Sequence, residues 1–113
     1  MKKHTRIYLD GFQYDETDFI PCEISGGQAV DIHHIEARGA GGDPYSDKDR
    51  IENLMAITRE LHIRYGDVPS KKAELFEIHR DRMLEAGVEF DEDYIEEKIK
   101  YYKVMHNNHI YWN

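Results

Sequence analysis

His33 and His34 stand side by side in Asp31-Ile32-His33-His34-Ile35, 19 positions before Asn53, and His62 follows nine positions after that. These side chains could serve one hydrolytic site. Three imidazoles and a carboxamide can hold a divalent cation and keep one base to activate water. The chain has seven histidines in 113 residues, so an adjacent pair alone is ordinary surface. Asn53 and His62, in their contexts, give the pair a chemical meaning.

The elements that must position these residues are short. Gln28 to Ile35 reads as a strand after the Gly26-Gly27 turn, with Ala29, Val30 and Ile32 apolar. Neighbours on a regular strand face opposite ways, so a base and a metal ligand drawn from His33 and His34 require the strand to end or bend there. A polar loop then runs from Glu36 to Arg50 with Gly39, Gly41, Gly42, Asp43 and Pro44. A loop of that length inside a small domain is usually functional. Leu54 to Ile57 is a short apolar run, hence a buried strand, and Thr58 can cap a helix that starts at Arg59, carries His62 and stops near Gly66. The core order is strand, loop, strand, helix.

The flanks are expected to pack around it. Residues 1–21 form an aromatic lead-in (Tyr8, Phe12, Tyr14, Phe19) ending at Pro21, with a short strand over Arg6 to Leu9 and a turn at Asp10-Gly11. Ser70 can cap a helix to Ala86 that Gly87 ends, with Leu75, Phe76, His79, Met83 and Ala86 along one face. Asp91 starts another helix, with Glu92 and Asp93 early and Lys98, Lys100 and Lys103 late, an order that complements the helix dipole. Its stripe is Ile95, Ile99, Tyr102 and Met105. Both stripes read as packing surfaces. The fold class is α+β, a single domain over 1–113 with its core at 22–67 and a helical extension at 68–113.

With 40% hydrophobic residues the chain can build a core, though a small one. The 23 acidic residues against 15 basic ones give a net charge of −8, spread so that no segment is a basic arm. That balance opposes unaided binding to a polyanion, where affinity comes mainly from Lys and Arg. Cys22 is the single cysteine, which excludes an internal disulfide and fits a reducing compartment. No secretory leader is expected at Met1-Lys2-Lys3-His4, and no apolar run approaches the roughly 18 residues of a membrane span. A soluble cytoplasmic protein, in a bacterium or a phage-infected host, is the expectation.

The stretch from Cys22 to Asp67 resembles the HNH endonucleases, built on the ββα-metal finger, and small phage-borne members most of all. The segments that carry the likeness are Val30 to Gly39 with its His-His, Arg50 to Ile57 with Asn53-Leu54, and His62 to Asp67. The resemblance implies hydrolysis of DNA phosphodiester bonds, by nicking or double-strand cleavage, with one divalent metal ion (Mg, Mn, Ni or Zn). On that pattern His33 and His62 ligate the metal, His34 is the general base, and Asn53 ties the loop between the strands and in some members also contacts the metal. Asp31 could orient a ligand by a hydrogen bond, and Arg38 could meet a phosphate.

The chemistry asks for these types. A neutral imidazole with an ordinary pKa of about 6.5 can take the proton of an attacking water at cellular pH, and a cation can act as Lewis acid on the phosphate and the leaving oxygen. Relatives with a zinc ribbon carry two CxxC pairs. Here Cys22-Glu23-Ile24-Ser25 and Thr58-Arg59-Glu60-Leu61 occupy those places, so no structural zinc is expected and the flanking helices must hold the finger. Some relatives have a further histidine one helical turn after the ligand. Gly66 stands there, leaving Asp67, Asp31 or water to complete the shell. DNA is the expected partner, with a protein that delivers the substrate as a second. The alternatives are a catalytically silent module that binds a protein partner through its acidic surface and, more weakly, a metal-storage or sensor module.

Overall fold

Leu54-Met55-Ala56-Ile57 forms the strand its apolar run predicts, and in the computed structural model all four of its side chains are buried. Burial on both faces explains why the run does not alternate with polar residues. Leu54 and Ala56 pack against Tyr8 and Leu9 on one side, while Met55 and Ile57 join Ile35, Phe76, Met83, Ile95 and Ile99 on the other. The structure describes residues 1–37 and 47–112, with side chains as far as His106.

Among the described residues the chain is α+β, with four helices and one antiparallel hairpin. Helix α1 (Lys3–Phe12) is followed by β1 (Asp31–His34), β2 (Leu54–Ile57), α2 (Arg59–Tyr65), α3 (Lys72–Ala86) and α4 (Glu92–Trp112). Strand β1 pairs with β2 from Asp31 opposite Ile57 to His34 opposite Leu54. Single 3₁₀ turns at Ile51–Asn53 and Pro69–Lys71 lead into β2 and α3. No helix among the described residues is long and apolar enough to cross a membrane.

Several expected boundaries move. The strand expected over Arg6 to Leu9 is part of α1. His4, Tyr8 and Phe12 recur every four positions, and a helix collects the buried His4 and Tyr8 and the half-buried Phe12 on one inward face, where the Tyr8 and Phe12 rings stack at 4.4 Å. The strand expected from Gln28 begins only at Asp31, because Gln28 bridges Pro21 instead. Ser70 lies in the 3₁₀ turn and does not cap α3, which starts at Lys72. Ala86 and Met105, assigned to the packing stripes, are exposed. Thr58 caps α2 as expected, its Oγ1 accepting from Leu61 N–H at 3.2 Å, and Gly87 ends α3 at φ 71°. Asp91 caps α4 by accepting from Tyr94 N–H at 3.1 Å.

Two buried carboxylates tie the helices to the hairpin. Glu23 accepts from Tyr8 Oη of α1 at 2.8 Å and from His79 Nδ1 of α3 at 2.8 Å. Glu36 accepts from Lys98 of α4 at 2.9 Å, and from Lys48 and Tyr102. Burial opposes the charge on Glu36, but the bonds from Lys48, Tyr102 and Lys98 outweigh it and bring its pKa down to about 2.

Candidate functional site

Strand alternation sends the two adjacent histidines to different neighbours. Asp31 and His33 turn toward α2, whereas His34 turns toward α1, where the His4 ring lies 4.5 Å away between centroids. The strand ends at His34. An open cleft of about 600 Å³ runs along β1 and reaches both sides, with His33, His34, His62, Asp31 and Asp67 in its wall and Lys2, His4 and Thr5 at the start of α1.

On the α2 side the rings of His33 and His62 approach to 4.5 Å between centroids, tilted by 54°. His33 Nε2 lies 2.9 Å from the Gly66 carbonyl, to which it can only donate. His62 Nδ1 lies 3.0 Å from Asp31 Oδ2 and donates to that carboxylate. Each ring therefore commits one nitrogen to an acceptor and keeps a lone pair on the other, the arrangement by which proteins orient metal-binding histidines. Burial, reinforced by the neighbouring His62, brings the His33 pKa down to about 4, so the ring is neutral near pH 7. Arg59 grips Asp31 with two bonds, at 2.8 and 3.0 Å, and holds its carboxyl below the usual range. Lys72 of α3 binds the Ile35 carbonyl and sits 3.4 Å from the Gly66 carbonyl, joining the end of β1 to the end of α2.

On the α1 side His34 Nε2 is 2.7 Å from Asp49 Oδ1. His4, His34 and Asp49 each bring one ligand atom to within 4.8 Å of the others, and this group could hold a metal ion. Neither His4 nor Asp49 stood out in the sequence. The period-four spacing of His4, Tyr8 and Phe12 would have placed His4 on a helix face, but nothing local connects Asp49 to His34.

Asn53 lies behind the site, fully buried. Its Oδ1 accepts from Glu36 N–H at 2.8 Å, and its Nδ2 donates to the carbonyls of Glu36 at 2.9 Å and Lys48 at 3.0 Å. The side chain thereby pins both ends of the loop whose middle is not described. Arg38, expected to meet substrate, falls outside the described residues. At the position of the first cysteine pair, the Cys22 thiol is buried, which opposes its ionisation, but the Ser25 hydroxyl and the N–H groups of Ser25, Thr58 and Ile24 outweigh this and hold it below its ordinary pKa. Comparison with protein-family models, with curated proteins and with solved structures found no match.

Proposed function

We propose that this chain is a metal-dependent endonuclease of the HNH type, with β1, β2 and α2 as its ββα-metal finger and the cleft along β1 as the seat of a DNA phosphodiester. The observation that supports this most is the pairing of His33 with His62, each ring fixed through one nitrogen by Gly66 or Asp31. His33 Nδ1 and His62 Nε2 are the atoms that would hold a divalent cation. Such an ion, when bound, supplies Lewis-acid stabilisation of the phosphate and the leaving oxygen.

The remaining work falls to the chain's own groups. His34 takes the proton of the attacking water, and the Asp49 carboxylate holds the ring in one orientation and faces the charge that results. Asp31 positions His62, and Arg59 positions Asp31. Asn53 acts through the backbone, keeping the loop ends where His34 and Asp49 meet. Lys2 at the cleft rim is a cation within reach of a substrate phosphate.

The net charge of −8 favours a second reading, in which the finger is a binding module or cuts only when a protein partner delivers the DNA. Plasmid cleavage at low salt with Mg, Mn, Ni or Zn, wild type beside His34→Ala, separates the two. The nuclease reading expects nicking or linearisation by wild type and a loss of about 10²–10⁴-fold in the variant. A folded, metal-loaded wild type that leaves the plasmid intact with every metal would favour the binding module.

A further inference from the structure

We propose that His4, His34 and Asp49 form a second cation site, selective for zinc-like ions, whose filling silences the nuclease by occupying its base. The regulatory half of this rests on the reading of His34 as general base. The site itself rests on geometry alone.

Its three ligands come from separate segments. His4 is in the first turn of α1, His34 ends β1, and Asp49 closes the loop before β2. Their ligand atoms lie within 4.8 Å of one another, while a tetrahedral ion with bonds of about 2.0–2.1 Å wants donors about 3.3 Å apart. Rotation of the three side chains, at the expense of their other contacts, would have to close that gap when an ion binds. The backbone under His4 is held firmly, because the same helix face continues into Tyr8, which is bonded to Glu23 and stacked on Phe12. A set of two imidazoles and one carboxylate suits Zn²⁺, Co²⁺ or Ni²⁺ and is poorly matched to Mg²⁺, which prefers oxygen ligands.

Binding exchanges the contact between His34 Nε2 and Asp49 Oδ1, 2.7 Å long, for one bond from each atom to the ion, and the ring's single proton moves by way of solvent from Nε2 to Nδ1, the nitrogen that acts as base. His34 cannot then serve as base. A ligated imidazole is held in one position, and its partner Asp49 is coordinated and no longer faces the charge that proton uptake would create. The same residue is therefore a base in the active state and a ligand in the silent one. His33, on the other face of the strand, and His62 of α2 share no ligand with this site.

The experiment pairs a binding measurement with an inhibition measurement on the full chain. Zn²⁺ stoichiometry by calorimetry and Co²⁺ absorption are recorded for wild type, His4→Phe, Asp49→Asn and His62→Asn. Phenylalanine keeps the ring packed against His34 and removes the ligand nitrogen, and asparagine keeps the shape of Asp49 without its charge. The expectation is two ions for wild type and one for each variant. Cleavage supported by Mn²⁺ is then titrated with Zn²⁺, each protein scaled to its own zinc-free activity; exchange at the His33–His62 pair is common to both proteins, so the second site is read from the difference, and His4→Phe should need about tenfold more zinc or higher for half-inhibition.

Unchanged stoichiometry in both His4→Phe and Asp49→Asn would overturn the site. Equal zinc inhibition in wild type and His4→Phe would overturn its regulatory role. If no protein cleaves with any metal while His4→Phe still loses one ion, the regulatory claim falls together with the nuclease reading and the cation site stands.

Discussion

Asp31 does two jobs with one carboxylate. Its Oδ2 accepts from both His62 Nδ1 and Arg59 Nε, so the ring that faces His33 is fixed by an anion that is itself fixed. An oriented, neutral imidazole binds a cation better than a rotating one, and loss of such a supporting group costs about 10–100-fold in metal affinity. Asp31→Asn should weaken metal binding at the His33–His62 pair by that factor, measured by calorimetry, while the thermal midpoint moves little because the Arg59 pair is exposed. Unaltered affinity in the variant would mean that His62 does not depend on Asp31 for its orientation. At this scale the sequence was informative wherever a residue type and a spacing coincide, as with His33, His34 and His62. It was silent on His4 and Asp49, whose partners lie 30 and 15 positions away and become neighbours only in the folded chain.

Local chemistry made some elements readable. The unbroken apolar run of β2, the hydroxyl of Thr58 before α2, Gly87 after α3 and Asp91 before α4 each have a physical reason that acts within a few residues. Helix α1 is not legible in the sequence, because Arg6 to Leu9 taken alone has no period and His4 counts as polar until it is buried at the head of the Tyr8 and Phe12 face. The start of β1 is equally hidden, because strand pairing, unlike capping, depends on a partner far along the chain. Asn53 joins the ends of the loop between β1 and β2 from beneath, alongside the Lys48–Glu36 and His34–Asp49 pairs. Removing it strands three buried backbone groups without partners, at roughly 3 kcal/mol in total. Asn53→Ala should lower the urea midpoint accordingly, and a loss below about 1 kcal/mol would show that water or a rearranged loop replaces the amide.

For the whole molecule, two buried histidines bracket the pH range of greatest stability. His79 faces the Glu23 carboxylate with Nδ1 and the Ile51 carbonyl with Nε2, at 2.8 and 2.6 Å. Only the doubly protonated ring can donate to both. Burial works against that charge, but the Glu23 carboxylate and the two bonds prevail and raise the His79 pKa above 6.5. Stability from this group is complete below about pH 6.5 and declines as pH rises through the folded pKa, by up to about 1.4 kcal/mol per pH unit. His33 has the opposite sign. Its folded pKa of about 4 means that the unfolded chain binds the extra proton first, so stability is lost as pH falls from 6.5 toward 4. Urea unfolding of the metal-free protein should therefore peak near pH 6.5, and His79→Gln should be less stable but lack the alkaline decline. A wild-type profile that stays level from pH 6.5 to 9 would rule out the charged His79.

Glu23 and Glu36 sit on either side of the histidine pair in sequence and fasten three helices to one hairpin. Because those fastenings are carboxylates matched by the chain's own donors, the hairpin has its rigging before any ion arrives. On the proposed metal-dependent reading, a chelator would strip such a protein and simple addition of the ion would reload it, with no refolding step between. Its readiness would then follow the ion supply around it, as a socket follows whatever is plugged into it.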